Sequence, residues 1–189
     1  AAAVWSSNMR KHERDLVNRV IDYRDGVSIL AMNIESFSAS SGKAAKAAES
    51  FLRNHKTFFV VDESHLIKNP SAARTKSIIK LGQLALFRRI LTGTPGQPLD
   101  YYSQFNFLDK RIINIKNYTA FKHEFAIMVQ LKDKTDRRGR PIEIVAVDPD
   151  TGRKKYRNID RLKKITAPFV FRVQKDECLD LPPKIYEWI

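Results

Sequence analysis

The sequence predicts an α/β protein with a small basic β-hairpin appended. Three observations carry this. Short, almost wholly apolar segments alternate with helical ones up to about residue 110, an acidic pair closes one of those segments, and the texture turns basic from Lys132. At roughly 150 residues per domain, the 189 residues make one domain, or one domain with an appendage. With 43% hydrophobic residues the chain can build a core, and 34 basic against 21 acidic residues leave a net charge of +13. Such a surface favours polyanionic partners without identifying one. No apolar run reaches membrane-spanning length, and no charged-then-apolar leader opens the chain. Cys178 is the only cysteine, which excludes an internal disulfide and a thiolate zinc site and suits a reducing, intracellular setting.

Ala1 to Trp5 starts abruptly and reads as a strand fragment. Arg10 to Arg24 carries Leu16, Val17, Val20 and Ile21 at helical spacing. Val27 to Met32, introduced by the Asp25-Gly26 turn signal, suits a strand buried on both faces. A helix over Ser40 to His55 precedes a second buried strand, Thr57 to Val61, and a helix follows over Ser71 to Leu84. Phe87 to Leu91 is the third strand. Leu99 to Leu108 and Tyr118 to Leu131 read as aromatic-rich helices.

Residues 132 to 164 hold 12 basic and 6 acidic side chains, net +6. Within them Ile142 to Val147, the Asp148-Pro149-Asp150-Thr151-Gly152 turn and Arg153 to Arg157 form the expected hairpin. A short helix over Asn158 to Ile165 and a last strand over Pro168 to Arg172 come next, and Leu181-Pro182-Pro183 has the character of a linker. The expected division is residues 1–131 for the α/β unit, 132–167 for the basic insertion and 168–189 for its end and linker.

The chemistry concentrates at two strand ends. Phe58 to Val61 runs straight into Asp62-Glu63-Ser64-His65. Ligands of open α/β sheets bind beyond the carboxyl ends of strands, where one carboxylate can serve a magnesium ion and a second can take a proton from water. The bland alternative is a solvated strand end that caps a helix. About thirty residues later, one helix plus its loops, Ile90-Leu91 leads into Thr92-Gly93-Thr94-Pro95. Hydroxyls and a glycine bend there can reach a phosphate, a water or an acidic neighbour, or can simply make a tight turn.

The ordered set of Asp62 to His65, Ile67-Lys68-Asn69-Pro70, Leu91 to Pro95 and Gln104 to Asp109 resembles the first RecA-like lobe of Swi/Snf-type superfamily-two helicases. More closely it looks like bacteriophage and bacterial DEAD/DEAH-box members. Ala31 to Phe37, with its Asn-x-Glu element, and Phe169 to Pro183 extend the resemblance over nearly the whole chain. The resemblance implies a RecA-like parallel sheet, ATP hydrolysis driving movement along duplex DNA, and the cytoplasm of a bacterial or phage-infected cell. It implies that Asp62 binds the magnesium of Mg–ATP through water, Glu63 activates the attacking water, and His65 links the nucleotide site to the coupling motif Thr92-Gly93-Thr94. It places Asn33 and Lys68 toward the DNA. Arg153, Lys154 and Lys155 of the basic hairpin are further candidates for phosphate contact, against the alternative of a solvated face.

One departure stands out. No Gly-x-x-x-x-Gly-Lys-Ser/Thr occurs, and Ser41-Gly42-Lys43-Ala44 lacks both the earlier glycine and the magnesium-binding hydroxyl, so it reads as a helix start. The expected partners are therefore a P-loop segment preceding Ala1 and a second RecA-like lobe, with the chain alone inactive and no membrane involved. A competing reading is a non-enzymatic nucleic-acid-binding module that keeps the lobe without its nucleotide site; another magnesium-dependent phosphohydrolase or nuclease is a third. His12-Glu13 and His123-Glu124 lack the second histidine of a metalloprotease helix. The Asn117 sequon and Cys178 carry no function here, and Tyr101, Tyr102, Phe105 and Phe107 cluster as core residues rather than base-stacking ones.

Overall fold

The computed structural model describes residues 1–39 and 42–173. Strand β1 (Ala2–Trp5) leads through helix α1 (Lys11–Asp22) to β2 (Ile29–Met32), and α2 (Lys43–Asn54) leads to β3 (Phe58–Val61). Helix α3 (Ala73–Gly82) precedes β4 (Phe87–Ile90), followed by α4 (Tyr101–Ile113), α5 (Tyr118–Phe125), β5 (Met128–Thr135), β6 (Pro141–Val145) and α6 (Ile159–Thr166). Short 3-10 turns follow β2 and β3, at Ile34–Ser38 and Ser64–Ile67. Among the described residues no helix is long and apolar enough to cross a membrane.

The α/β character is present, but the strands are not buried on both faces. β1 pairs with β2 and β3 with β4, each pair parallel. Ala3, Trp5, Leu30, Met32, Phe59, Val61 and Ile90 turn into the main core with Val17, Val20, Ala48, Phe51 and Ile78 of the helices. Their alternating neighbours Val4, Ile29, Phe58, Val60 and Phe87 stay exposed. A period-2 strand puts successive side chains on opposite faces, and among the described residues only one face is covered. β2 also starts two residues later than expected, leaving Val27 80% exposed. Leu16, expected on the apolar face of α1, is exposed as well. A groove of about 1110 Å3 lies between β2 and β3, with Phe51 and Leu52 of α2 also lining it.

The helix expected over Tyr118 to Leu131 stops at Phe125, and Met128 begins a strand. Ile127, Val129 and Leu131 alternate, and β5 pairs antiparallel with β6, Val129 opposite Ile144. A long-range partner decides the conformation of a stretch whose local pattern suits either state. The main hairpin thus closes at Asp136, whose amide donates to the Arg140 carbonyl at 2.8 Å. The expected turn at Asp148 to Gly152 also forms, with the Asp148 amide donating to Arg153 O at 2.8 Å, but its flanks make only an isolated bridge, Val147 to Lys154. Lys155 N donates to Ala146 O, Ala146 N to Ile127 O and Ile127 N to Lys155 O, closing a three-strand corner.

Pro168 to Arg172 is not a strand. Ala167–Phe169 forms a 3-10 turn with Pro168 in its first two positions, where a missing amide costs nothing. Gly42 caps α2 at φ +61°, consistent with a plain helix start. Ser41, Cys178 and the Leu181-Pro182-Pro183 stretch lie outside the described residues. A second core gathers Leu99, Phe105, Ile113, Phe121, Phe125 and Leu162, with Met128, Val145 and Tyr156 packed against it. The aromatic residues of α4 belong to these cores: Phe107 is fully buried, edge-on to Phe59 at 5.2 Å.

Candidate active site

The ladder of β3 and β4 continues past both strands into the two motifs. Leu91 N donates to Val61 O, and Ser64 N donates to Leu91 O, each at 2.9 Å. The acid pair and the Thr92-Gly93-Thr94 turn therefore leave adjacent strand ends side by side. Asp62 Oδ1 accepts from the Glu63 amide at 2.9 Å, which orients the carboxylate while leaving it exposed.

Glu63 sits in the left-handed region, φ 48° and ψ 52°. Among the described residues the other non-glycine positions with positive φ are both asparagines, Asn114 and Asn158, which tolerate that region far better. For a glutamate it costs about 1–3 kcal/mol, and such residues persist where surrounding structure imposes them, often at functional sites. Here the imposing contacts are the Ser64 amide on one side and the β3 ladder on the other. Glu63 Oε2 lies 3.0 Å from His65 Nδ1. The geometry is off the line of a hydrogen bond, so that buried ring nitrogen has no well-directed partner.

In the second motif Thr92 Oγ1 accepts from the Thr94 amide at 3.1 Å, a local hydroxyl turn around Gly93. Behind both motifs lies a buried polar link. Ser64 Oγ donates to Gln104 Oε1 at 2.7 Å, and Gln104 Nε2 donates to Pro95 O at 2.9 Å and Asp100 O at 3.2 Å. Ser103 Oγ adds a bond to Lys68 O at 3.1 Å. Sequence reasoning alone assigns no role to Ser64 or Gln104. A signal does exist: Gln104 shares a helix stripe with Tyr101, Phe105 and Leu108, an amide where the pattern calls for an apolar side chain.

The remaining candidates are held differently. Asn33 caps the 3-10 turn after β2, accepting from the Glu35 amide at 3.0 Å. Lys68 ends the turn after β3 with its side chain exposed. Asp62 and Glu63 line the groove that Met32 and Ile34 also border, flanking Asn33. Arg153, Lys154 and Lys155 lie in the hairpin unit, and no hydrogen bond or ion pair among the described residues joins them to the acid pair. Lys155 Nζ is 3.3 Å from Asp148, whose carboxyl is held below its ordinary range first by the Thr151 amide and then by Lys155. Arg153 and Lys154 are exposed without such a partner among the described residues. His123 and Glu124 tie α5 to β6 and α6, His123 Nε2 3.0 Å from Glu143 and Glu124 paired with Arg161.

Comparison with known proteins gives this arrangement a family. The model described as the SNF2-related domain matches residues 4–189. The chain is 31% identical over 183 residues to the SWI/SNF-related matrix-associated actin-dependent regulator of chromatin subfamily A containing DEAD/H box 1 of Xenopus tropicalis, covering 95% of this chain and 16% of that protein. It is 29% identical over 178 residues to the ATP-dependent helicase FUN30 of Saccharomyces cerevisiae, covering 93% and 14%. It is 30% identical over 141 residues to human TATA-binding protein-associated factor 172, covering 72% and 7%. The chain thus spans a small part of the curated relatives it matches. These relatives are eukaryotic, so the expected bacteriophage and bacterial kinship finds no support among them.

Proposed function

The chain belongs to the SNF2-related domain family, and from that premise we propose that it supplies the acid-pair half of an ATP-hydrolysing motor that tracks duplex DNA. The observation that carries the reading is the ladder that sets Asp62-Glu63 beside Thr92-Gly93-Thr94 at neighbouring strand ends. In this reading the two parallel pairs are parts of one RecA-like sheet. The phosphates are cradled by a P-loop outside these 189 residues, and a second RecA-like lobe closes the site.

Magnesium is bound by few carboxylates together with substrate phosphates and waters. That donor set suits the single exposed carboxylate of Asp62 at the end of β3. When bound, the ion would neutralise charge on the ATP phosphates. Glu63 accepts the proton of the attacking water from a left-handed backbone position just past the end of β3. His65, whose Nδ1 lies 3.0 Å from that carboxylate, links the nucleotide site to the coupling turn. The Thr92-Gly93-Thr94 turn senses the result, and Asn33, Lys68, Arg153, Lys154 and Lys155 face the DNA backbone.

ATP turnover by the full-length protein tests the proposal. Hydrolysis should require magnesium, rise with duplex DNA and vanish in Asp62→Ala, while residues 1–189 alone should turn over no ATP for want of a phosphate cradle. DNA binding without any hydrolysis by the full-length protein would make this a binding module instead. Clear turnover by residues 1–189 would place the nucleotide elsewhere.

A further inference from the structure

Buried polar groups are hydrogen-bonded because an unpaired one costs the desolvation it has already suffered. Gln104 is 2% exposed and its amide has four hydrogen-bonding positions. Three are used. Pro95 O and Asp100 O can only accept, so the Nε2 side must face them, and Oε1 is left to receive the Ser64 hydroxyl. The orientation is forced by the partners.

Those partners are well placed. Ser64 follows Glu63 directly, is fully buried, and is tied by its amide to Leu91 just past β4. Pro95 follows Thr94 directly. Asp100 stands just before α4, and its Oδ2 accepts from the Gln97 amide at 2.9 Å, pinning the loop beyond Pro95. A single side chain on α4 thus holds the residue after the acid pair and the residue after the second motif. Gly96 leaves no slack there: at φ +91°, any Cβ would press on the Asp100 carboxylate.

We propose that Gln104 is a positioning residue that locks the Asp62-Glu63 loop and the Thr92-Gly93-Thr94 loop in one relative register through Ser64 and Pro95. A shift of either loop must break a buried bond or carry α4 with it. The consequence for turnover rests on the proposed ATPase reading; the mechanical link does not.

Gln104→Met keeps length and volume while removing both donors and the acceptor. In the full-length protein it should lower DNA-stimulated kcat at least tenfold and leave KM for ATP within twofold, since no group that touches nucleotide is changed. Ser64→Ala should lower kcat too, and the double variant should fall no further than Gln104→Met alone, because both cut one link. Independent, multiplying losses would overturn the proposal, as would a Gln104→Met protein that melts earlier but turns over normally.

Hydrogen exchange supplies a readout that needs no hydrolysis. The amides of Ser64, Thr94 and Gln97 are all bonded in the structure. Gln104→Met should speed exchange about tenfold or more in the peptides covering both loops, with Val20 in α1 unchanged as a reference. Loosening of one loop alone, or uniform loosening that includes α1, contradicts the link. Should the wild-type protein prove to hydrolyse no ATP, the functional reading fails and exchange alone decides the role of Gln104.

Discussion

The strand ends of β3 and β4 and the basic hairpin unit use polar residues in opposite ways. Behind the exposed acid pair, the groups that fix the two strand-end loops are buried and neutral. The buried side chains of Ser64, Ser103 and Gln104 make bonds of 2.7, 3.1 and 2.9 Å, and a misfit there leaves a group unpaired. In the hairpin unit the charges are exposed and pair with near neighbours, Arg140 with Asp136 at 2.7 Å and Lys155 with Asp148 at 3.3 Å. The Arg140 guanidinium lowers the Asp136 carboxyl and Lys155 helps lower Asp148. Exposed pairs of this kind are screened by water and salt and hold little of the fold together. The difference separates a region built to fix geometry from one built to present charge.

Glycine substitutions expose that contrast most strongly. A Cβ on Gly82 would stand 2.8 Å from the ring of the fully buried Phe107, which itself packs edge-on against Phe59 behind β3. Overpacking of this kind costs about 1–3 kcal/mol, so Gly82→Ala should lower Tm by several degrees. Gly139 at the hairpin tip has nothing within 4 Å, and its φ of +72° is the only obstacle to a side chain. Gly139→Ala should cost about 1–2 kcal/mol for the left-handed backbone, with no steric clash added. Thermal unfolding of the two variants side by side checks the order, and equal losses would erase the distinction.

A gentler perturbation addresses the charges. Replacing Arg153, Lys154 and Lys155 by Ala should leave Tm nearly unchanged and weaken DNA binding evenly across sequences. The salt dependence should flatten by about one unit of slope for each phosphate no longer neutralised. Because Lys155 is already engaged by Asp148, Lys155→Ala alone should change the slope least of the three. Binding isotherms over a range of salt concentrations measure this, and an unchanged slope in the triple variant would return the hairpin to a solvated face.

Sequence is most informative where local and long-range preferences agree. Phe58 to Val61 is apolar, β-branched or aromatic, and bounded by charges, and it forms β3 as expected. Asp62, Glu63 and the Thr92-Gly93-Thr94 turn can be set near one another from the spacing of one intervening helix. Ile127 to Leu131 reads as helix from its neighbours because an alternating apolar run is also compatible with a helix until Ile142 and Ile144 supply a partner strand. Exposure on one sheet face is equally hidden, since an all-apolar strand reads the same whether one face or two are covered. The Ser64–Gln104–Pro95 link spans 40 residues, and no pairwise pattern in the chain announces it.

In the proposed reaction Glu63 takes the proton of the attacking water. Glu63→Gln keeps shape but cannot accept that proton, so ATP turnover by the full-length protein should fall at least a hundredfold, the low end of what such a base contributes, while ATP binding stays close to wild type. Steady-state hydrolysis measured beside a nucleotide-binding titration reads both quantities on one protein. Turnover at the wild-type rate in Glu63→Gln would contradict the account and remove Glu63 from the reaction.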